Sequence, residues 1–278
     1  MWGIEMGFIR ANVLPILKEH KLRPFSGHVL CLGKPDVYFT YEHLSRMARI
    51  ADVDLSTSVP VTPSYIPEFA KKKYMSGETL FKSIGFGQVS SLDNSAFEGA
   101  EYVFDLNGAI LPYDLKEQFD VIIDHGTIEH VFHIPNALNN IYQMLKVGGR
   151  VIHSAPGSNF FDHGFYMFSP TIFYDFYSSN KWRLNTIQVF QITPNQETEP
   201  PFFTDYEPDL FAYLSYGKLG DRMYGTICIA EKRIESTGNV IPQQGLYSRM
   251  AGWQKDMTAG EKISALSGRL SKGLKDIL

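Results

Sequence analysis

Short apolar runs alternate with amphipathic segments along the chain. Runs of aliphatic and β-branched residues bounded by turn-forming residues are typical of buried strands. The runs that predict strands are His28–Leu32, Gln88–Leu92, Glu101–Phe104, Phe119–Ile123, Arg150–Ala155, Leu184–Ile192 and Thr226–Glu231. The pattern therefore predicts a sheet of several strands.

Other segments have their apolar residues at helical spacing. The predicted helices are Ile9–Glu19, Thr40–Ala51, Ser76–Ile84, Pro135–Lys146 and one that begins at Ser169–Pro170. Thr40 and Ser76 fit N-caps, and Gly148 with Gly149 predicts a helix stop. A strand, a helix and a second strand in short succession form the βαβ unit of a parallel sheet, so we expect an α/β fold.

Composition narrows the function classes. The chain has 278 residues, 44% of them hydrophobic and 20% charged, with a mean hydropathy of -0.15, as in globular domains that bury a core. Its net charge of -4 argues against nucleic acid as a partner.

We find no signal peptide and no apolar run long enough to span a membrane. Cys31 and Cys228 lie in predicted strands, which indicates buried, reduced thiols and a cytoplasmic setting.

Acidic residues follow three of the predicted strands. Asp93, Asp105 and Asp124 each stand directly after a strand, and His125 follows the last of them. Ligands of parallel sheets bind beyond the carboxyl ends of the strands, where a carboxylate can accept both hydroxyls of a ribose. An aspartate in this position can also cap a turn. Three such acids in register favour a nucleoside site.

The segment from Gln88 to Trp182 resembles the class I S-adenosylmethionine-dependent methyltransferases. The residues that carry this resemblance are SLDNS, FDLN, FDVIIDHGTIEHV, ALNNIYQMLKVGGRVIHSAP and FSP. The most specific block is Phe119–Val131, a hydrophobic strand followed by D-x-G-x-I-E-H-V. Within the family, the chain looks most like the enzymes encoded with bacterial cell-surface polysaccharide and secondary-metabolite genes.

The resemblance implies a Rossmann-like three-layer sandwich, with a mostly parallel central sheet and an antiparallel closing strand at Thr226–Glu231. It implies S-adenosylmethionine as cofactor. The residues expected to bind it are Gly33, Lys34, Asp93, Asn94, Asp105, Leu106, Asp124 and His125.

The chain departs from the family after the first strand. The family has an acidic residue and three glycines there, whereas this chain keeps only Gly33 and has Cys31, Pro35 and Val37 at the other positions. Proline has a fixed φ and no N–H to donate, so the family's glycine-rich motif is degenerate here. Lys34 could bind the cofactor's carboxylate and Asp36 its ammonium group. The alternative is that cofactor binding has been weakened or lost.

Histidines cluster on the expected catalytic side of the sheet. A hydroxyl is a weak nucleophile at neutral pH, and histidine is the usual general base. His163, oriented by Asp162 or a neighbouring acid, is the preferred base, and His125 is the second candidate. A metal site from Asp124, His125, His130 and His133 is disfavoured because no regular ligand spacing is present, so no metal is expected.

Two regions lie outside the core pattern. The aromatic segment Asn159–Tyr177 and the excursion Thr193–Met223 are expected to divide between core packing and a lid over the site. The stretch Glu261–Leu278 predicts a weakly basic amphipathic helix that docks on its own domain, on a second subunit or on a membrane surface.

The expected organisation has three parts. Residues 1–26 form an N-terminal helix, residues 27–235 a methyltransferase-like domain with insertions at about 36–84 and 193–223, and residues 236–278 a helical tail. The expected function is methyl transfer to a hydroxyl, or an amine, of a sugar or other small polar acceptor. The alternative is a catalytically inactive methyltransferase-like binding or interaction module. An NAD-dependent oxidoreductase is disfavoured because G-x-G-x-x-G is absent, and a homo-oligomer is left open.

Overall fold

A computed structural model describes residues 7–192, 202–208, 211, 217–245 and 247. The chain divides into two units, one ending at Ile241 and one beginning at Pro242. The first unit contains all the helices and strands described below. The predicted helix Glu261–Leu278 and much of the excursion Thr193–Met223 lie outside the described residues.

One sheet organises the first unit. Its strands are β1 (His28–Leu32), β2 (Gln88–Asp93), β3 (Tyr102–Val103), β4 (Phe119–His125), β5 (Leu145–Ser158), β6 (Arg183–Ile192), β7 (Phe202–Asp205) and β8 (Met223–Glu231). They lie in the order β3-β2-β1-β4-β5-β8-β6-β7. The first five in this order are parallel, and β8 runs antiparallel to both β5 and β6. This confirms a Rossmann-like sheet with an antiparallel strand after the parallel half.

Helices cover both faces of the sheet. They are α1 (Arg10–Leu22), α2 (Tyr41–Ala51), α3 (Pro67–Lys71), α4 (Gly77–Ser83), α5 (Ile134–Met144) and α6 (Pro170–Ser179). The Thr40 and Ser76 side chains cap α2 and α4 as predicted, accepting hydrogen bonds from the N–H groups of His43 and Thr79. Among the described residues no helix combines the length and the apolar character needed to cross a membrane.

The two cores follow from the alternation of side chains along each strand. Val29 and Cys31 of β1 face a core built with α1, α2 and α4. Leu30 and Leu32 face the opposite core, built with α5 and α6. Successive strand residues point to opposite faces, so a short apolar run can fill both layers. Cys31 and Cys228 are buried free thiols, as predicted.

The structure differs from the predicted elements at several ends. Strand β4 continues through Asp124 to His125, because both residues pair with β5. Helix α5 ends at Met144, two residues before its predicted end at Lys146, because Leu145 is extended and begins β5. The pattern did not predict α3 or β7, which lie within segments expected to be insertions.

Candidate functional site

A cleft of about 590 Å³ opens at the carboxyl ends of β1, β2 and β4. It lies where the strand order reverses between β1 and β4, the position at which doubly wound sheets bind their ligands. Its volume falls in the range of small-molecule sites, about 300–1,000 Å³. Most of the predicted site residues line it: Gly33, Lys34, Asp93, Asn94, Asp105, Leu106, His125 and His163.

Two of the predicted acids share this cleft. Asp93 is the half-buried last residue of β2, and Asp105 lies just beyond β3. Each uses its Oδ1 atom to order its own turn, accepting hydrogen bonds from the N–H of Ser95 (3.1 Å) and of Asn107 (2.9 Å). These turns hold the two carboxylates at the cleft wall, next to Asn94 and Leu106.

Asp124 does not line the cleft, contrary to the expectation from its position. It is fully buried, and its Oδ2 atom lies 2.6 Å from Nδ1 of His153, whose Nε2 atom lies 2.5 Å from the hydroxyl of Tyr177. Its Oδ1 atom accepts hydrogen bonds from the N–H groups of Thr127 and Ile128. Because β4 includes Asp124, its side chain points to the α6 face, where it orders the following turn.

The loop after β1 has an unusual construction. Gly33 adopts a φ of +76°, and a Cβ there would lie 3.1 Å from Oγ1 of Thr127, so only glycine suits this close approach. Pro35 packs against Gly77 of α4, with its ring where a Gly77 side chain would be. Nζ of Lys34 donates a hydrogen bond to the carbonyl of Glu98 and lies 4.4 Å from the centre of the Tyr65 ring. The lysine therefore links the loop after β1 to the segment after β2 at the wall of the cleft.

His125 lies on the opposite face of β4 from Asp124 and is buried in the cleft wall. Its ring stacks on that of Phe8, with a centroid distance of 3.7 Å and an interplanar angle of 9°. Burial lowers the pKa of His125 to about 3, and the nearby backbone of Gly7 opposes this shift. The imidazole is thus neutral at physiological pH and unsuited to hold a proton there.

His163 lines the cleft, and a different acid from the predicted one accompanies it. Its Nε2 atom lies 3.4 Å from Oε1 of Glu129, which is fully buried. Asp162 is exposed, adopts a φ of 65° and does not line the cleft. The neighbouring acid of His163 is therefore Glu129 of the E-H-V sequence.

The other histidines separate into distinct environments. His130 lines the cleft and its ring centroid lies 5.2 Å from that of His163, whereas His133 is exposed beyond it. His130 is exposed as a residue, but the partial desolvation of its ring at the cleft lowers its pKa, and the nearby His163 lowers it further. The metal set considered from the sequence does not assemble, because Asp124 and His125 point to opposite faces of β4.

Sequence patterns did not single out some of the lining residues. Phe8 reaches the cleft because its N–H and carbonyl pair with Asp36 and Tyr38 in the loop after β1. Thr127 lines it while donating a hydrogen bond to the Leu32 carbonyl. Glu129, which is buried beside His163 and does not itself line the cleft, has a signal in the E-H-V sequence. Phe8 has none, since its neighbours in space are distant in the chain.

The aromatic segment divides between core and rim. Phe160, Phe168, Phe173, Phe176 and Tyr177 are buried, whereas Phe161 and Phe165 are exposed. Phe165 packs edge to face against exposed Phe132, with ring centroids 5.7 Å apart. An exposed aromatic surface therefore lies beside the His130 and His163 end of the cleft.

No family model and no curated protein sequence matches this chain. Solved structures that match it include an S-adenosylmethionine-dependent methyltransferase from Thermotoga maritima, at 15% identity and a TM-score of 0.36 over 81% of this chain and 91% of that one. Geranyl diphosphate methyltransferase matches at 14% identity and a TM-score of 0.39, covering 80% and 85%.

Phosphoethanolamine N-methyltransferase 2 from Haemonchus contortus, solved with S-adenosylmethionine, matches at 15% identity and a TM-score of 0.39. The match covers 79% of this chain and 52% of that enzyme, so the chain spans about half of its length. The fold assignment itself rests on the strand order of the chain's own sheet.

Proposed function

We propose that this chain is an S-adenosylmethionine-dependent methyltransferase acting on a hydroxyl, or an amine, of a sugar or other small polar molecule. The observation that carries the proposal is that Asp93 and Asp105, at the ends of neighbouring parallel strands, line one cleft together with Gly33. A carboxylate after β2 is the group that binds ribose hydroxyls in nucleoside-binding folds. The block Phe119–Val131 supports the same assignment.

The residues of the cleft fit a nucleoside with a charged tail. Asp93 would hold the ribose, and Asp105 with Leu106 would contact the adenine through a carboxylate and a buried apolar surface. Gly33 allows a ligand to approach the backbone closely. Pro35 takes the place of a glycine of the family, so the backbone N–H of that position is unavailable to the cofactor's tail.

Lys34 and Asp36 are the candidates for binding that tail. Both line the cleft and carry the charges that its carboxylate and ammonium groups require. Lys34 would have to release the Glu98 carbonyl to do so. We therefore propose a tail site built from side chains rather than from a glycine-rich backbone loop.

S-adenosylmethionine supplies an electrophilic methyl group on a sulfonium, and in the transfer the S–C bond breaks as a bond from the acceptor atom to the methyl carbon forms. The contribution of the chain is to align the acceptor and to receive its proton. His163 is the proposed receiver of that proton, since it lies at the cleft with the Glu129 carboxylate beside it to stabilise the imidazolium. His125 is excluded from this role by its burial.

The acceptor would reach the cleft beside His130 and His163. The exposed, mutually packed rings of Phe132 and Phe165 lie at this end and offer flat apolar surfaces, which suit the faces of a sugar ring. This supports a small acceptor with both a hydroxyl and an apolar face. Transfer to nitrogen would use the same arrangement.

Calorimetric titration with S-adenosylmethionine and S-adenosylhomocysteine tests the proposal. We expect both to bind, and Asp93→Ala to weaken both about tenfold to a hundredfold through the loss of charged hydrogen bonds worth about 1.5–3 kcal/mol. Asp114→Ala, which removes an exposed acid outside the cleft, is the matched control and should bind like the unaltered protein. Failure of both ligands to bind at millimolar concentration would remove the proposal.

Transfer of a radiolabelled methyl group to a panel of small acceptors separates an enzyme from an inactive binding module. An enzyme gives labelled product with at least one hydroxyl or amine compound. Binding of cofactor without transfer to any compound of the panel favours the module that only binds.

A further inference from the structure

The carboxylate of Glu129 is buried without the partners that such a group needs. Its side chain is fully buried, and among the described residues neither Oε1 nor Oε2 accepts a hydrogen bond of normal geometry. A buried polar group without a partner costs about 1–3 kcal/mol, and more when it is charged. Such a group calls for an explanation, of which a bound ion is one.

Two imidazoles lie beside this carboxylate. One ligand atom from each of Glu129, His130 and His163 can be chosen so that all three atoms lie within 4.8 Å of one another. Oε1 of Glu129 and Nε2 of His163 are 3.4 Å apart. Two ligands about 2.1 Å from a tetrahedral ion lie about 3.4 Å from each other, so this pair already has the required separation.

The backbone holds the two contributing segments together. Glu129 and His130 belong to the 3₁₀ turn Ile128–His130 after β4. The Glu129 carbonyl accepts hydrogen bonds from the N–H groups of Phe165 (2.9 Å) and Tyr166 (3.2 Å). A Cβ on Gly164 would lie 3.0 Å from that carbonyl, so glycine permits the approach. These contacts fix His163 opposite Glu129 before any ligand binds.

We propose that Glu129, His130 and His163 form a binding site for one divalent cation. Two imidazoles and a carboxylate suit first-row ions such as Mn²⁺, Fe²⁺ or Zn²⁺ and leave coordination positions open. His130 and His163 line the cleft, so the open positions face it. The sequence predicted no metal because it shows no regular ligand spacing. This site has no such spacing, since His163 is distant in the sequence from Glu129 and His130.

Ion binding does not depend on the proposed function, but the role of the ion in catalysis does. In methyl transfer, the ion would bind the acceptor's oxygen and lower the pKa of its hydroxyl, which would then lose its proton to solvent. Nε2 of His163 would be a ligand and could not also receive the proton. Without an ion, Glu129 and His163 form a pair, and His163 is free to receive the acceptor's proton.

Metal titrations of the full-length protein, freed of ions with a chelator and containing no cofactor, test the site directly. Mn²⁺ is followed by electron paramagnetic resonance and Co²⁺ by its visible absorption. We expect one ion per chain, and binding more than about tenfold weaker in His163→Asn and His130→Asn. His133→Asn, which alters an exposed histidine outside the cleft, should bind like the unaltered protein.

Glu129→Gln is the third ligand variant, and His130→Asn keeps the test decisive if Glu129→Gln does not fold, because His130 is exposed. Absence of stoichiometric binding by the unaltered protein, or binding unchanged in His130→Asn and His163→Asn, overturns the site. Cofactor titration in the presence of chelator is a separate measurement. Metal binding and cofactor binding can therefore fail independently, whereas a bound ion would replace His163 as the group that activates the acceptor.

Discussion

His125 shows how burial overrides the chemistry that a residue type suggests. Its position after an acidic residue made it a candidate for catalysis, yet it stacks on Phe8 inside the cleft wall. Desolvation lowers the pKa of His125 to about 3. The side chain therefore acts as an aromatic wall of the cleft.

This burial predicts an acid sensitivity. The folded-state pKa of His125, about 3, lies below the unfolded value of 6.5, so the unfolded chain binds the additional proton between these two pH values. His125 should thus lower the free energy of unfolding by about 1.4 kcal/mol for each pH unit between about 6.5 and about 3. In urea unfolding at several pH values, His125→Phe, which keeps a ring against Phe8, should be less acid-sensitive than the unaltered protein.

Burial also lowers the pKa values of three other histidines, His20, His28 and His130. The difference in pH dependence between His125→Phe and the unaltered protein therefore isolates the contribution of His125. His133→Phe is the control at an exposed position and should keep the full pH dependence. Equal pH dependence in His125→Phe and in the unaltered protein would contradict the assignment.

At the scale of elements, a buried ion pair fastens α1 to the sheet. Nη1 of Arg150 in β5 lies 2.9 Å from Oε1 of Glu19, and the exposed fractions of the two side chains are 6% and 4%. The same nitrogen donates to the Arg23 carbonyl, and the guanidinium lies 4.2 Å from the centre of the Phe25 ring. Helix α1 is therefore part of the core of the sheet, packed on the same face as α2.

Glu19→Ala should lower the free energy of unfolding by about 3–5 kcal/mol, because the Arg150 charge would remain buried without its carboxylate. Lys21 lies in the same helix as Glu19 and forms an exposed ion pair with Asp52, which follows α2. Lys21→Ala breaks this pair and should lower the free energy of unfolding by no more than about 1 kcal/mol. Urea denaturation of both variants measures the difference. Similar losses in the two variants would mean that the buried pair does not fasten α1.

At the scale of the whole molecule, the cleft joins parts that are distant in the chain. Phe8, Gly33, Asp93, Asp105 and His163 come from five separate segments, and all of them reach the same cleft. The site exists only in the folded chain. A ligand bound there should therefore stabilise the entire unit and not one segment of it.

S-adenosylhomocysteine at a hundred times its dissociation constant should raise the free energy of unfolding by about 2.7 kcal/mol. A rise of several degrees in the melting temperature follows for a protein of this size. Thermal unfolding with and without the ligand measures the effect, and Asp93→Ala at the same ligand concentration should show a smaller rise. A rise in Asp93→Ala as large as that of the unaltered protein would place the ligand away from Asp93.

Local pattern determined most of the architecture. Apolar runs predicted seven of the eight described strands, and helical spacing, with caps at Thr40 and Ser76, predicted five of the six described α-helices. These features depend on neighbours within a few residues, so the sequence carries them directly. The positions of Asp93 and Asp105 at the cleft were also predictable. Each follows a predicted strand, and the carboxyl ends of parallel strands meet at one edge of the sheet.

The tertiary structure decided the roles that depend on burial and on distant partners. Asp124 and His125 extend β4 by two residues that pair with β5. This pairing turns Asp124 into the core, where it binds His153, and His125 against Phe8. Glu129 rather than Asp162 meets His163 because backbone hydrogen bonds join two separate loops. Such contacts are set by which strands pair and how the loops pack, and no spacing within a single segment encodes them.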